Sequence, residues 1–303
     1  MTENKDIFKS GFITVIGKPN VGKSTIINSL VGEKVAITSP KPQTTRSNLR
    51  AVITEPDYQM IFIDTPGIHT PKNKLGEFMV TAASSTFNEV DVIIMVCDAT
   101  DRSLSKTDEK IIEKLKEIKN KPVFLVINKT DAVKKELLLN KIAEYSELYN
   151  FKEIIPISAL KREGVELLRD IILGCLKEGP QYFPANITAD TTMRTIVSEI
   201  IREKILLNTN DEVPHGTGIE IIQYKEPKKA DGVTTIEANI YCEKATHKGI
   251  IIGKNGEKLK EIGTSARRDI ERICGSQVNL KLWVKVKDDW RNSPGMLKEL
   301  GFQ

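Results

Sequence analysis

The rhythm of hydrophobic positions changes once along the chain. Early on, short and nearly continuous apolar runs stand at residues 12–17, 59–64, 91–98, 123–128 and 153–157. Segments with helical spacing lie between them, as at 106–119 and 135–149. Such runs predict strands covered on both faces, and their alternation with helices predicts an α/β layer on a mostly parallel sheet. Residues 48–54 form a weaker strand before the turn-like Glu55, Pro56 and Asp57, and are expected at an edge, paired antiparallel. Beyond Leu176 the pattern differs. Met193, Ile196, Val197, Ile200, Ile201 and Ile205 recur at helical spacing. Strand-like segments 218–226 and 234–244 follow, then residues 249–256, a helix over 257–274 and an alternating strand over 278–287. The predicted order there is helix-strand-strand-helix-helix-strand, a smaller α+β domain. Gly179, Pro180 and Pro184 punctuate the junction. The expected organisation is a first domain over 1–178, a linker over 179–190 and a second domain over 191–303.

Composition changes this picture little. The 303 residues are 40% hydrophobic and 28% charged, typical of a globular chain and unlike a disordered or fibrous one. The net charge of +4 is too small to demand a polyanion, so any such case must rest on local charge. The longest apolar run, 92–97, is far below the roughly 18 residues of a spanning helix. The polar start of the chain has no signal-peptide core, and Cys97, Cys175, Cys242 and Cys274 form no CxxC pair. A cytoplasmic protein with reduced thiols is expected.

Motifs carry the chemistry. Gly17, Lys18, Pro19, Asn20, Val21, Gly22, Lys23 and Ser24 fit G-x-x-x-x-G-K-[ST] between a predicted strand and a predicted helix over 24–31. Glycines let backbone N–H groups approach phosphates, and the helix N-terminus adds a positive dipole. Lys23 is placed to reach the β- and γ-phosphates, Ser24 to ligate Mg²⁺, and Thr25, next in the helix, is the last expected nucleotide-binding residue of this box. Asp64, Thr65, Pro66 and Gly67 end a strand where an Asp bound to the Mg²⁺ shell and a γ-phosphate-sensing N–H belong. Asn128, Lys129, Thr130 and Asp131 end another. The Asp131 carboxylate can accept from guanine N1 and N2, which adenine does not match. Ser158, Ala159 and Leu160 end the last, where the Ala159 N–H can meet guanine O6. All of these fall at carboxyl ends of strands. Between the first two boxes, Lys41 to Arg46 include Thr44 and Thr45; Thr45 is preferred over Thr44 as a Mg²⁺ ligand present only with a γ-phosphate. Lys23, Thr45, Asp64 and Gly67 are thus the expected catalytic group. Ile68 stands where many GTPases have a water-orienting Gln; the adjacent His69 is not read as the base, and no arginine finger is identifiable from the sequence.

The set of boxes is similar to the translation-factor-related GTPases. The flanks Lys41-Pro42-Gln43-Thr44-Thr45-Arg46 and Asp64-Thr65-Pro66-Gly67-Ile68-His69-Thr70-Pro71-Lys72-Asn73-Lys74-Leu75-Gly76 resemble the Era family of bacterial GTPases. Asn20 is similar to the asparagine that helps hold K⁺ in potassium-stimulated relatives.

In the second domain, Gly253-Lys254-Asn255-Gly256 is a GxxG between helix-like stretches. With the surrounding element order it resembles a type II KH domain, in which this loop clamps the backbone of about four nucleotides. Residues 244–291 hold twelve Lys/Arg against six Asp/Glu. Lys248, Lys254, Lys258, Arg267 and Arg268 cluster around Ile252, Gly253, Asn255, Gly256 and Leu259, with the two aliphatics as a floor under bases. The stretch from Leu282 to Arg291 also resembles the Era KH domain, whereas Lys244, Thr246 and His247 depart from the Arg, Ser and Gln of many members.

The resemblance implies a monomeric GTP- and GDP-binding switch that hydrolyses GTP slowly with Mg²⁺, with K⁺ stimulation, and binds small-subunit ribosomal RNA near its 3′ end during subunit assembly. It also implies peripheral contact with the inner face of the cell membrane. Two alternatives are an RNA-binding module with a structural nucleotide domain and a GTPase of a tRNA-modification complex. The first runs against intact Lys23, Ser24, Asp64 and Asp131; the second calls for an added helical domain and a catalytic cysteine that this chain does not offer.

Overall fold

A computed structural model describes the chain apart from residues 1–6, 40, 42–43, 47–48, 68–70, 72, 211–212, 228, 230–231 and 303, and the side chains of 83–85 and 88. The chain divides into two compact units, one of residues 1–70 and 79–190, the other of 71–78 and 191–303.

The first unit contains β1 (Lys9–Ile16), α1 (Lys23–Val31), β2 (Leu49–Thr54), β3 (Tyr58–Asp64), α2 (Lys74–Glu89, whose first residues 74–78 fall in the other unit), β4 (Val92–Asp98), α3 (Lys106–Glu117), β5 (Val123–Asn128), α4 (Lys135–Leu148), β6 (Glu153–Pro156), α5 (Val165–Leu173), β7 (Lys177–Glu178) and β8 (Ala189–Asp190). The sheet runs β6-β5-β4-β1-β3-β2-β8, with β7 on β1. The β1–β3, β1–β4, β4–β5 and β5–β6 pairs are parallel. The mostly parallel sheet predicted from the apolar runs is therefore present. Alternate residues of each strand feed opposite faces. Ile94 and Val96 join Ile26, Ile27 and Leu30 of α1 and Leu168 and Ile172 of α5. Ile93, Met95 and Cys97 join Ile111 and Leu115 of α3 and Tyr145 of α4. Burial on both faces explains why these strands read as unbroken apolar runs.

One expectation is corrected. β2 pairs antiparallel with β3 but is not the edge, because β8 lies outside it, paired at Arg50 and Ala51. A two-residue strand is too short to leave a periodic signal. Residues 179–190, expected as a linker, are fastened to this unit: Gln59 is fully buried, its Oε1 accepting from Tyr182 N at 2.8 Å and Phe183 N at 2.9 Å, its Nε2 donating to Phe183 O at 2.8 Å.

The second unit contains α6 (Met193–Asn208), β9 (Gly218–Lys225), β10 (Val233–Cys242), α7 (Ala245–Ile252), α8 (Glu257–Cys274), β11 (Gln277–Val286) and α9 (Pro294–Glu299). Its sheet runs β11-β10-β9, parallel between β10 and β11 and antiparallel between β10 and β9. Ile200, Ile201 and Ile205 of α6 and Ile262, Ala266 and Ile270 of α8 pack on Ile236, Ala238 and Ile240 of β10. The α-β-β-α-α-β order expected from the sequence is realised. Gly249 to Ile252 belong to α7, so the connection to α8 is the four residues from Gly253 to Gly256. Trp290 is fully buried and donates its indole N–H to Gly216 O at 2.9 Å.

Candidate guanine-nucleotide site and RNA interface

The loop from Gly17 to Gly22 joins β1 to α1. Gly17 (φ 153°) leaves no room for a side chain, since a Cβ would lie 2.5 Å from Val96 O. Gly22 (φ 98°) caps α1 in a left-handed conformation, and a Cβ there would lie 2.3 Å from Asn128 Nδ2. Both positions need glycine. The loop therefore wraps tightly over the ends of β4 and β5 and presents the N-terminus of α1 outward. Lys23 is buried and folds back to donate to Gly17 O at 3.2 Å and Lys18 O at 3.1 Å. Burial lowers its pKa to about 8, against the opposing pull of Asp64. Incoming phosphate would replace those two carbonyl partners with full negative charge.

Ser24, Thr45 and Asp64 converge from three separate segments. Ser24 Oγ donates to Asp64 Oδ2 at 2.7 Å, Thr45 Oγ1 donates to the same oxygen at 3.2 Å, and the two hydroxyls are 3.0 Å apart. Three hard oxygen donors on one point fit Mg²⁺, which takes oxygen ligands and keeps several waters. Thr44 is turned elsewhere and donates to Lys41 O at 2.7 Å. Thr65 Oγ1 donates to Val15 O at 2.7 Å, tying the turn after β3 to β1. Gly67 follows, so close to the phosphate loop that a Cβ would sit 2.9 Å from Pro19 N. Ile68 and His69 lie outside the described residues.

The base-facing boxes are joined by Asn128. Its Nδ2 donates to Val21 O at 2.9 Å, and its Oδ1 accepts from Ala159 N at 3.0 Å. The Ala159 N–H assigned from sequence to guanine O6 is thus engaged by Asn128, and a base would have to share it. Asp131 is exposed, and its Oδ1 accepts from Ser158 Oγ at 2.6 Å. That hydrogen bond holds the Asp131 carboxyl below the usual carboxylate range. Thr130 opens the short turn that carries Asp131, and Leu160 is 80% exposed beside Ala159. Lys129 (φ 65°) donates to Asn20 O at 2.8 Å and lies 2.5 Å from Asp98 Oδ2. Lys18 pairs with Asp101 at 2.6 Å. Asp98 and Asp101 were not legible as site residues. Their only sequence signal is position, at and just beyond the carboxyl end of β4. Burial raises the Asp98 pKa, but hydrogen bonds from Lys129 and Thr100 outweigh it and hold the carboxyl below its ordinary value.

In the second unit the GxxG connection has positive φ at Gly253 (73°), Asn255 (52°) and Gly256 (81°). A Cβ on Gly253 would lie 2.7 Å from Lys258 Cβ, so the turn into α8 is tight. Lys254 and Asn255 are exposed at its tip, with Lys248, Arg267 and Arg268 exposed and Lys258 half-buried nearby in sequence. Ile252 and Leu259 are half-buried against the core, so each keeps some apolar surface outward. Arg267 is 3.9 Å from Glu271, which offsets part of its charge.

Residues 12–129 match the family described as "50S ribosome-binding GTPase", and residues 212–291 match the KH domain. "GTPase Era" of Ruminiclostridium cellulolyticum is 53% identical over 98% of this chain and 98% of its own. That of Clostridium novyi is 54% identical over 98% of this chain and all of its own. The chain belongs to the Era family of GTPases. Among solved structures, Era in complex with MgGDPNP and nucleotides 1506–1542 of 16S ribosomal RNA is 41% identical, covers 97% of this chain and 99% of its own, and superposes with a TM-score of 0.93. A single-residue variant of Aquifex aeolicus Era bound to GDP·AlF4⁻ is 40% identical, covers 97% and 99%, and gives 0.91. The family recognised from the flanking residues of the boxes, and the KH fold recognised from element order, are both borne out.

Proposed function

We propose that this Era-family chain binds GTP and GDP at the site built by residues 17–25, 64–68, 128–131 and 158–160, hydrolyses GTP slowly, and binds the 3′ end of small-subunit ribosomal RNA during subunit assembly. The convergence of Ser24, Thr45 and Asp64 carries the nucleotide half. A Mg²⁺ held there supplies positive charge to the β- and γ-phosphate oxygens. Lys23 adds charge from the loop side, the N–H of Gly67 faces the γ-phosphate, and Asp131 selects guanine. Phosphoryl transfer needs chiefly such positioning and electrostatics. Since Thr45 reaches this point from a separate loop, loss of the γ-phosphate releases its segment, and the nucleotide state is thereby converted into loop order. Asn20 assists by holding K⁺ beside the phosphates, where other GTPases use an arginine finger.

The RNA half is supported by likeness to an Era bound to a 16S ribosomal RNA segment and by the exposed Lys254 and Asn255 on a tight glycine turn. The GxxG loop clamps the sugar-phosphate backbone, with Lys248, Lys254, Lys258, Arg267 and Arg268 as phosphate partners and Ile252 and Leu259 beneath the bases. The protein acts as a monomer in the cytoplasm and touches the inner membrane face only peripherally; no described helix is long and apolar enough to cross a membrane. Crosslinking in cells, with GTP-locked and GDP-bound forms compared, tests the whole. Sites concentrated near the 3′ end of small-subunit RNA are expected. Sites scattered over unrelated messages would overturn the assembly role.

A further inference from the structure

Asp98 ends β4 and is bonded through both carboxylate oxygens. Oδ1 accepts from Thr100 N at 2.9 Å and Thr100 Oγ1 at 2.7 Å, which fixes the plane of the group. Oδ2 lies 2.5 Å from Lys129 Nζ. The same ammonium donates to Asn20 O at 2.8 Å. One lysine therefore bridges three segments: the end of β4, the turn that carries the guanine-selecting Asp131, and the phosphate loop. Asn20 and Lys129 both hold left-handed backbone, with φ of 67° and 65°. Non-glycine residues keep such conformations only when their surroundings enforce them. The neighbouring turn repeats the device, Asp101 holding Lys18 of the phosphate loop at 2.6 Å.

A lysine ammonium sits on a flexible four-carbon stem and does not choose one pose unaided. An exposed ion pair would contribute little. The Lys129 side chain is 40% exposed, but that of Asp98 is only 10% exposed and its second oxygen is anchored independently by Thr100, so the carboxylate end of the pair is fixed in place. Fixing the lysine in advance removes an ordering cost from nucleotide binding.

Resting on the nucleotide-site reading above, we propose that Asp98 is a positioning residue for the guanine nucleotide. It locks Lys129 across the Asn20 carbonyl, so the base-recognition turn and the phosphate loop are set as one unit. The test is release of mant-GDP from the full chain with Mg²⁺, followed by stopped flow, for the parent, Asp98→Asn, Lys129→Ala and the double variant. Asp98→Asn should speed release about tenfold while leaving the melting temperature within a few degrees of the parent. In the Lys129→Ala background the same change should have less than a twofold effect, because its mediator is gone. Equal acceleration in both backgrounds, or none in the parent, overturns the positioning role. Unchanged release in Lys129→Ala alone overturns the nucleotide-site role of Lys129 itself, a separable failure. Should Asp98→Asn not fold, Asp98→Glu, which keeps the charge but displaces it, is expected to speed release about threefold, with parent-like release counting against the role.

Discussion

Gly22 and Asn128 meet across the nucleotide loop so closely that a single added methyl on the glycine would stand 2.3 Å from the Asn128 amide nitrogen. The asparagine uses that contact to donate to Val21 O while accepting from Ala159 N, so three boxes distant in sequence share one side chain. Asn128→Ala should weaken GDP binding about 10–100-fold, because a buried carbonyl and a buried N–H lose their partner together. Gly22→Ala should do at least as much. Isothermal titration with GDP measures both.

Thr45, rather than Thr44, reaches Ser24 and Asp64. Thr45→Ala should therefore lower Mg²⁺-dependent GTP hydrolysis about tenfold or more while leaving GDP affinity within twofold. Thr44→Ala should change either by less than threefold. Single-turnover phosphate release and GDP titration separate the two threonines.

Asp131 owes its orientation to Ser158 Oγ at 2.6 Å. Asp131→Asn should cut GDP affinity about 100-fold and raise XDP affinity, because the amide donates where the carboxylate accepted. The depressed Asp131 pKa means the carboxylate persists as pH falls and is lost only at its folded value. Ser158→Ala removes the cause, so the acid limb of GDP binding should move to higher pH. Titrations between neutral and acid pH show the shift.

Gln59 is saturated by the backbone of Tyr182 and Phe183 together with the Thr54 hydroxyl, to which its Nε2 also donates. Gln59→Leu strands those groups and should destabilise the first unit by about 2–4 kcal/mol. Urea denaturation measures the loss, and limited proteolysis should show earlier cleavage within residues 179–190.

Lys254 stands exposed at the tip of the GxxG turn. Lys254→Glu should weaken binding of a 3′-end small-subunit RNA oligonucleotide about tenfold, with a shallower salt dependence, and leave GDP affinity unchanged. Fluorescence anisotropy at several salt concentrations checks both.

Much of this was legible from the order of residues. Each nucleotide box sits where a strand ends, because phosphate and base recognition need backbone groups and short side chains at the carboxyl ends of strands, and such turns leave dense local signatures. The first unit's strands were readable because burial on both faces makes them continuously apolar. Less visible were β8, too short for periodicity, and Asp98, Asp101 and Gln59, ordinary polar residues whose partners lie far along the chain. Nothing local distinguishes Gln59 from a surface glutamine; only its burial against Tyr182 and Phe183 does.

By itself the sequence determined the family and the two folds, since motif residues at short spacing and the order of apolar segments carry them. The sequence already favoured Thr45 over Thr44, but tertiary structure alone brought Thr45 onto Ser24 and Asp64, gave the Ala159 N–H to Asn128 and set Asp98 on Lys129. These are distances between segments 19 to 40 positions apart. Folding sets such distances through the packing of whole strands, and no local pattern encodes them.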